Sequence, residues 1–209
     1  MKEASQIFKS GNLKLEGVLH LPRTNNEKLP GVVLCHPHPQ YGGNMDNNVV
    51  VAVSRALSER GFVVLRFNFR GVGLSEGTFD NGEGEQDDLR GALEYLAGCP
   101  EAEPDRLGVM GYSFGGMVAL GAANSFELVK ALAGVSPVVT PGLIEGLSKP
   151  AYFICGTDDQ VTPADLVTRE AGKINPPGQV EIVKGADHFW SGHEKEMAGK
   201  VAAFFERVL

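Results

Sequence analysis

Strands alternating with helices along most of the chain predict an α/β domain with a mostly parallel sheet and helices on both faces. Two further observations sharpen that reading. Val32 to Cys35 is a short, continuously apolar run that suits a strand buried on both faces. A glycine-rich turn, Gly111-Tyr112-Ser113-Phe114-Gly115-Gly116, falls between a predicted strand and a predicted helix. The 209 residues, 43% of them hydrophobic, suit a single compact domain spanning residues 1–209. No internal repeat, low-complexity segment or domain boundary interrupts it.

The elements follow in order. Ser5 to Lys9 and Leu13 to Leu21 read as an antiparallel pair joined by a turn at Ser10, Gly11 and Asn12. The polar linker Pro22 to Pro30 reads as an exposed loop. After the strand Val32 to Cys35, Asp46 is placed to cap a helix through Val49, Val53, Ala56 and Leu57 that ends near Gly61. Phe62 to Phe69 is β-branched and aromatic, hence a strand, and Gly71 to Gly84 is a loop. Glu85 to Leu96 sets Leu89, Ala92, Leu93 and Leu96 on one helical face. Leu107 to Met110, Ala131 to Val135, Ala151 to Cys155 and Val180 to Val183 are the remaining strands. Phe114 to Ala123, Pro163 to Ile174 and Glu194 to Val208 are the remaining helices.

Charge and composition exclude several classes of function. The formal net charge is -7 and Lys and Arg do not cluster, which argues against a broad nucleic-acid surface. The densest charged stretch, Glu83 to Arg90, is mostly acidic and suits the opening of a helix. Met1 to Ser10 is too polar to hold the apolar region of a secretion signal, and runs such as Phe62 to Phe69 are too short to span a bilayer. Cys35, Cys99 and Cys155 form an odd set without CxxC spacing, which suits a reducing compartment. A cytoplasmic protein without a membrane or nucleic-acid partner is the expectation. The oligomeric state is not legible.

The turn Gly111-Tyr112-Ser113-Phe114-Gly115 is an instance of G-x-S-x-G, and its placement matters more than its letters. A serine on a tight strand-to-helix turn adopts strained backbone geometry and needs small neighbours, which Gly111, Gly115 and Gly116 provide. The helix that follows sets amides and a positive dipole end beside the Ser113 hydroxyl.

A serine hydroxyl is a weak nucleophile until a base takes its proton. Of five histidines, His188 lies in Gly185-Ala186-Asp187-His188-Phe189-Trp190, directly after the last predicted strand, where a loop can reach over the strand ends. It is preferred to His193, which suits a capping or surface role, and to His20, which lies inside a strand. The acid is sought after the preceding strand, in Gly156-Thr157-Asp158-Asp159-Gln160-Val161-Thr162-Pro163. Asp159 is preferred, with Asp158 the rival, and one of the pair is expected to form an Asx turn or cap. Asp187, adjacent to His188, is poorly placed to reach its ring. The order Ser113, Asp159, His188 differs from that of chymotrypsin-like and subtilisin-like proteins.

An oxyanion formed on attack needs amide donors. One is expected from the backbone of Phe114 and another from His36-Pro37-His38-Pro39-Gln40-Tyr41-Gly42-Gly43. Proline lacks an N–H, so the second donor is His38, Gln40 or Tyr41, with His38 preferred. A competing reading makes His36 and His38 metal ligands, although a catalytic zinc would need a third protein ligand.

GYSFGG, GTDDQVTP and GADHFW, in that order, resemble the α/β-hydrolase superfamily. LCHPHPQYGGNMDN, LRFNFRGVGLSEG and GEGEQDDLRGAL narrow the resemblance to small bacterial hydrolases of the dienelactone-hydrolase-like branch. The resemblance runs from about Gly17 to the last helix. It implies the α/β-hydrolase fold with a mostly parallel sheet of roughly seven or eight strands. It also implies the triad Ser113, Asp159 and His188, with Phe114 as an oxyanion donor. Dienelactone hydrolases carry a cysteine nucleophile where this chain has Ser113, which weakens transfer of their substrate. Ser136 to Pro150 is too short for the helical cap of larger lipases, so an open site without a lid is expected.

The expected reaction is two-step acyl transfer on a small-molecule ester, with no metal or organic cofactor. Thioesters, lactones and amides run on the same residues. Tyr41, Phe69, Tyr112, Phe114, Phe189 and Trp190 are candidates to line an acyl pocket, or else to be core. The rival from another class is a binding or regulatory protein that keeps the scaffold without catalysis.

Overall fold

A computed structural model describes residues 2–22 and 27–209. Eight strands form one sheet: β1 (Lys2–Ser10), β2 (Leu13–Leu21), β3 (Leu29–Cys35), β4 (Val63–Phe67), β5 (Ala102–Tyr112), β6 (Val129–Val135), β7 (Ala151–Gly156) and β8 (Gln179–Val183). Five helices accompany them: α1 (Asn48–Glu59), α2 (Glu83–Ala97), α3 (Phe114–Ala122), α4 (Ala164–Ala171) and α5 (Glu194–Val208). The strand order is β1-β2-β4-β3-β5-β6-β7-β8. β1 and β2 pair antiparallel, β2 meets β4 antiparallel, and every pairing from β4 to β8 is parallel. The chain is thus the expected α/β-hydrolase fold.

The apolar runs become central strands because both of their faces are covered. In β3, Val32 and Leu34 pack with α1 residues Val49, Val53 and Leu57 and with α5 residues Val201 and Phe205. Val33 and Cys35, on the opposite face, pack with Leu89, Leu93 and Leu96 of α2 and Val118 of α3. A third cluster joins Phe153 of β7 to Val167 and Ala171 of α4 and to Ile144 and Leu147. Truncating one such fully buried leucine to alanine typically costs about 2–5 kcal/mol.

Several boundaries differ from the sequence reading, each for a visible reason. The helix α1 is capped by Asn47, whose side chain accepts from the Val49 amide at 3.0 Å, not by Asp46. Asp46 is drawn off by an ion pair with Arg66. Strand β4 stops at Phe67 because Asn68 turns to the Glu16 carbonyl and accepts from the Met45 amide at 2.7 Å. Strand β3 starts at Leu29 and includes Pro30. The middle of the predicted linker, residues 23–26, lies outside the described residues, and Glu27 and Lys28 are exposed. Helix α2 begins at Glu83, two residues early, because the Glu85 carboxylate accepts from the Gly82 amide at 2.7 Å and the Asp80 amide at 2.9 Å. Residues 136–150 hold no helix, and among the described residues none forms a lid over the sheet. Among the described residues, no helix is long and apolar enough to cross a membrane.

The order β4-β3-β5 locates the site. The chain runs outward from β3 to β4, then returns to the other side of β3 as β5, making a switch point between β3 and β5. In open parallel sheets the crevice beyond the carboxyl ends of such a strand pair is the natural ligand site. The loops leaving it begin at His36 and Ser113.

Candidate active site

Ser113 sits on the turn between β5 and α3 with φ 55° and ψ -117°. A non-glycine residue held there costs about 1–3 kcal/mol and persists only where its surroundings enforce it. Three backbone bonds do so: the Ser113 amide donates to Val135 O at 3.0 Å, and its carbonyl accepts from Met117 at 3.2 Å and Val138 at 3.1 Å. The flanking glycines are needed for space. A Cβ on Gly111 would lie 2.2 Å from Gly115 O, and one on Gly115 would lie 2.4 Å from Cys35 O. Phe114 opens α3, where the first amides have no acceptor within the helix.

His188 and Asp159 converge on this serine. The His188 Nε2 is 3.0 Å from Ser113 Oγ, and its Nδ1 is 2.9 Å and 3.1 Å from the two carboxylate oxygens of Asp159. All three residues are largely buried. The Tyr112 hydroxyl donates to the His188 carbonyl at 2.7 Å, anchoring the backbone of His188. Asp159 also accepts from the amides of Val161 and Thr162, each at 2.9 Å, and from the Thr162 hydroxyl at 2.7 Å. Burial alone would push its carboxyl up. Bonds from His188, the Thr162 backbone and the Thr162 hydroxyl outweigh that and hold it well below the usual carboxylate range.

Asp159 therefore forms the Asx turn expected of one of the pair and faces the imidazole with the same carboxylate. Asp158 is directed away, accepting from the Thr157 hydroxyl at 2.8 Å. Asp187 accepts from the Ser191 amide, and His193 caps α5. His20 is buried against Arg66 Nε at 2.9 Å.

The loop after β3 forms the opposite wall. The Gln40 amide donates to His38 Nδ1 and the Tyr41 amide to His38 O, so two of the three candidate oxyanion donors are already engaged. The His38 amide has no acceptor among the described residues. The imidazole of His38 packs against Phe79, Phe114 and Tyr41, and its desolvation, partly opposed by Glu85, lowers its pKa. His36 is fully buried and both ring nitrogens are used: Nδ1 donates to Pro37 O at 2.6 Å and Nε2 accepts from the Phe69 amide at 3.1 Å. Burial pushes its pKa down to about 4, despite the bond to Pro37. With no lone pair left, His36 cannot serve as a metal ligand, and the H-x-H metal reading fails on this residue.

A cavity of about 430 Å³ opens over Ser113. It is lined by Ser113 and His188 with His38, Tyr41, Tyr112, Asn47, Val161 and Phe189, and by Pro37, Gly42 and Gly43. Of the six aromatics singled out in the sequence, Tyr41, Tyr112 and Phe189 line it, whereas Phe69, Phe114 and Trp190 belong to the core. No Asp, Glu, Lys or Arg is among its lining residues.

Residues 11–142 match the family described as X-Pro dipeptidyl-peptidase (S15 family). The chain belongs to that family of α/β serine hydrolases. The match takes in Ser113 but ends before Asp159 and His188. The hydrolase is 31% identical over 206 residues to an uncharacterized protein of Rickettsia prowazekii, covering 92% of this chain and 85% of that one. Its fold is shared with an α/β serine hydrolase without a lid from Xanthomonas campestris, at TM-score 0.89 and 29% identity, over 100% of this chain and 96% of that one. An α/β serine hydrolase homologue from Coxiella burnetii is 30% identical, with TM-score 0.87 and 97% of each chain covered.

Proposed function

We propose that this hydrolase cleaves uncharged carboxylic esters through an acyl-enzyme on Ser113. The observation that carries the reading is the continuous hydrogen-bonded chain Ser113–His188–Asp159 at the floor of an open cavity with uncharged walls. As the Ser113 hydroxyl attacks the ester carbonyl, a C–O bond forms and His188 Nε2 takes the proton. Asp159 holds the tautomer with its proton on Nδ1 and stabilises the imidazolium. The amides of Phe114 and His38 stabilise the oxyanion, and loss of one such donor costs about a hundredfold or more. Collapse breaks the ester C–O bond, and the alcohol leaves with the proton from His188. Water, activated by the same nitrogen, releases the acid. Thioesters would follow the same path.

The family description raises a second reading, removal of X-Pro dipeptides. Such a substrate presents a free ammonium, which calls for an unengaged carboxylate in the cavity. Asp159 is the carboxylate beside the lining, and His188, Thr162 and the Val161 amide occupy it. The ester reading is favoured on that ground. A panel of p-nitrophenyl esters beside an X-Pro p-nitroanilide tests it. Turnover of neutral esters, with the anilide at least about a hundredfold poorer in kcat/KM, is expected. Preference for the anilide would overturn the reading.

A further inference from the structure

We propose that Tyr41 and Phe189 are specificity-determining residues of this site: Phe189 receives an apolar alcohol group of the ester, and Tyr41 an apolar acyl group. The inference rests on the ester reading above and names its substrate class. Among the described residues six large apolar side chains are exposed, and Tyr41, Val161 and Phe189 among them line the cavity over Ser113. Exposed apolar side chains scattered singly are ordinary. Three gathered round one uncharged cavity mark a surface that a ligand covers. Tyr41 is 87% exposed and Phe189 63%, so most of each ring is open to contact.

Two ladders of rings descend from the rim to Ser113. On one wall Tyr41 packs on His38 with ring centroids 4.8 Å apart, and His38 packs on Phe114 at 4.9 Å. On the other, Phe189 meets His188 edge-on at 5.8 Å, and His188 meets Tyr112 at 5.5 Å. Tyr112 and Phe114 flank Ser113 in the chain, so the ladders end on either side of it. Hydrogen bonds fix the backbone under both outer rings. The amides of Tyr41 and Gly43 donate to His38 O at 3.1 and 3.0 Å, and a Cβ on Gly43 would lie 2.1 Å from Pro37 O. The Asn48 side chain, at the start of α1, donates to Phe189 O at 3.0 Å. Rings on a fixed backbone have only two side-chain torsions to lose when a ligand covers them.

The chemistry divides the two rings between the halves of the ester. His188 Nε2, 3.0 Å from Ser113 Oγ, hands its proton to the leaving oxygen. The alcohol group therefore lies along the wall of His188, where Phe189 stands. The oxyanion faces the amides of Phe114 and His38. That leaves the acyl group the direction away from His188, along the loop after β3, where Tyr41 stands. A cavity of about 430 Å³ has room for groups on both sides of the ester bond, and its uncharged lining offers a charged group no partner on either.

The test is kcat/KM on two series of esters, p-nitrophenyl acetate to octanoate for the acyl half and ethyl to octyl acetate for the alcohol half. In the wild type each added methylene is expected to raise kcat/KM roughly threefold in both series until the cavity is filled. Tyr41→Ala is expected to lower the octanoate-to-acetate ratio about tenfold, and Phe189→Ala the octyl-to-ethyl ratio by a similar factor. Tyr41→Phe, which keeps the ring, restores the acyl ratio. Both side chains are exposed, so neither substitution opens the core, and melting temperature measured alongside verifies that. A wild type that hydrolyses esters but is indifferent to chain length in either series overturns this inference alone. So do ratios that the two alanine substitutions leave unchanged, or change in the opposite pairing. A wild type that hydrolyses no ester in either series overturns the ester reading, and this inference with it.

Discussion

The two walls of the cleft are held by different chemistry. On one side, Ser113 is fixed by three backbone hydrogen bonds and by glycines that let the Gly111–Gly115 turn press against the end of β3. On the side of Asp159 and His188, side chains hold the geometry. Thr162 grips Asp159, the Trp190 indole donates to Ser136, and the Tyr112 hydroxyl grips the carbonyl of His188. A backbone-held element tolerates changes to most neighbouring side chains but no new Cβ. A side-chain-held element loses precision with single polar substitutions while the fold survives.

The sharpest break of the second wall is Asp159→Asn. It keeps the shape but presents the wrong donor pattern to His188 Nδ1, and labelling of Ser113 is expected to slow by about 10³–10⁴-fold in a folded protein. Gly115→Ala tests the first wall. Its Cβ would meet Cys35 O and His36 O at 2.4 and 2.5 Å, so a loss of several degrees in melting temperature is expected along with the loss of activity. A stable, active Gly115→Ala would erase the contrast. Thr162→Val removes one hydroxyl donor from Asp159 and leaves the amide bond in place. A fall of about tenfold in kcat, with KM little changed, is the expected outcome.

The smallest effect concerns stability, and it belongs to the loop after β3. His36 is neutral when folded, with its pKa down at about 4 against an unfolded value near 6.5. Between those values the unfolded chain binds the extra proton. Stability is therefore full above about pH 6.5 and falls as pH drops toward 4, by on the order of 1–3 kcal/mol from this residue. His20, whose burial and proximity to Arg66 lower its pKa to about 4, adds a loss in the same window. Urea midpoints across that range should fall less steeply in His36→Asn than in the wild type.

The difference between the walls also explains what was legible in the sequence. The Gly111–Gly115 turn could be read because its constraints are local: glycines within two residues, a strand before and a helix after. The sheet and the helix faces were legible for a related reason, since periodicity reports burial directly. Chain order was enough to select His188 and Asp159, the residues that lie in hydrogen-bonded sequence with Ser113. Their supports could not be read, because Thr162 and Tyr112 are ordinary residue types that carry no signal of the bonds they make. Strand β5 begins at Ala102, earlier than read, because Glu103 to Arg106 are polar and partly exposed at its start and carry no apolar signal. The cap of α1 was misread because Asn47 and Asp46 are equally good caps in isolation, and Arg66, far along the chain, decides between them.

The most direct test of the central claim is intact mass after incubation with a fluorophosphonate, for the wild type beside Ser113→Ala and His188→Ala. One adduct on the wild type, none on Ser113→Ala and a rate at least about a thousandfold lower in His188→Ala is the predicted result. A folded wild type that takes no adduct, or an adduct that persists in Ser113→Ala, would contradict it.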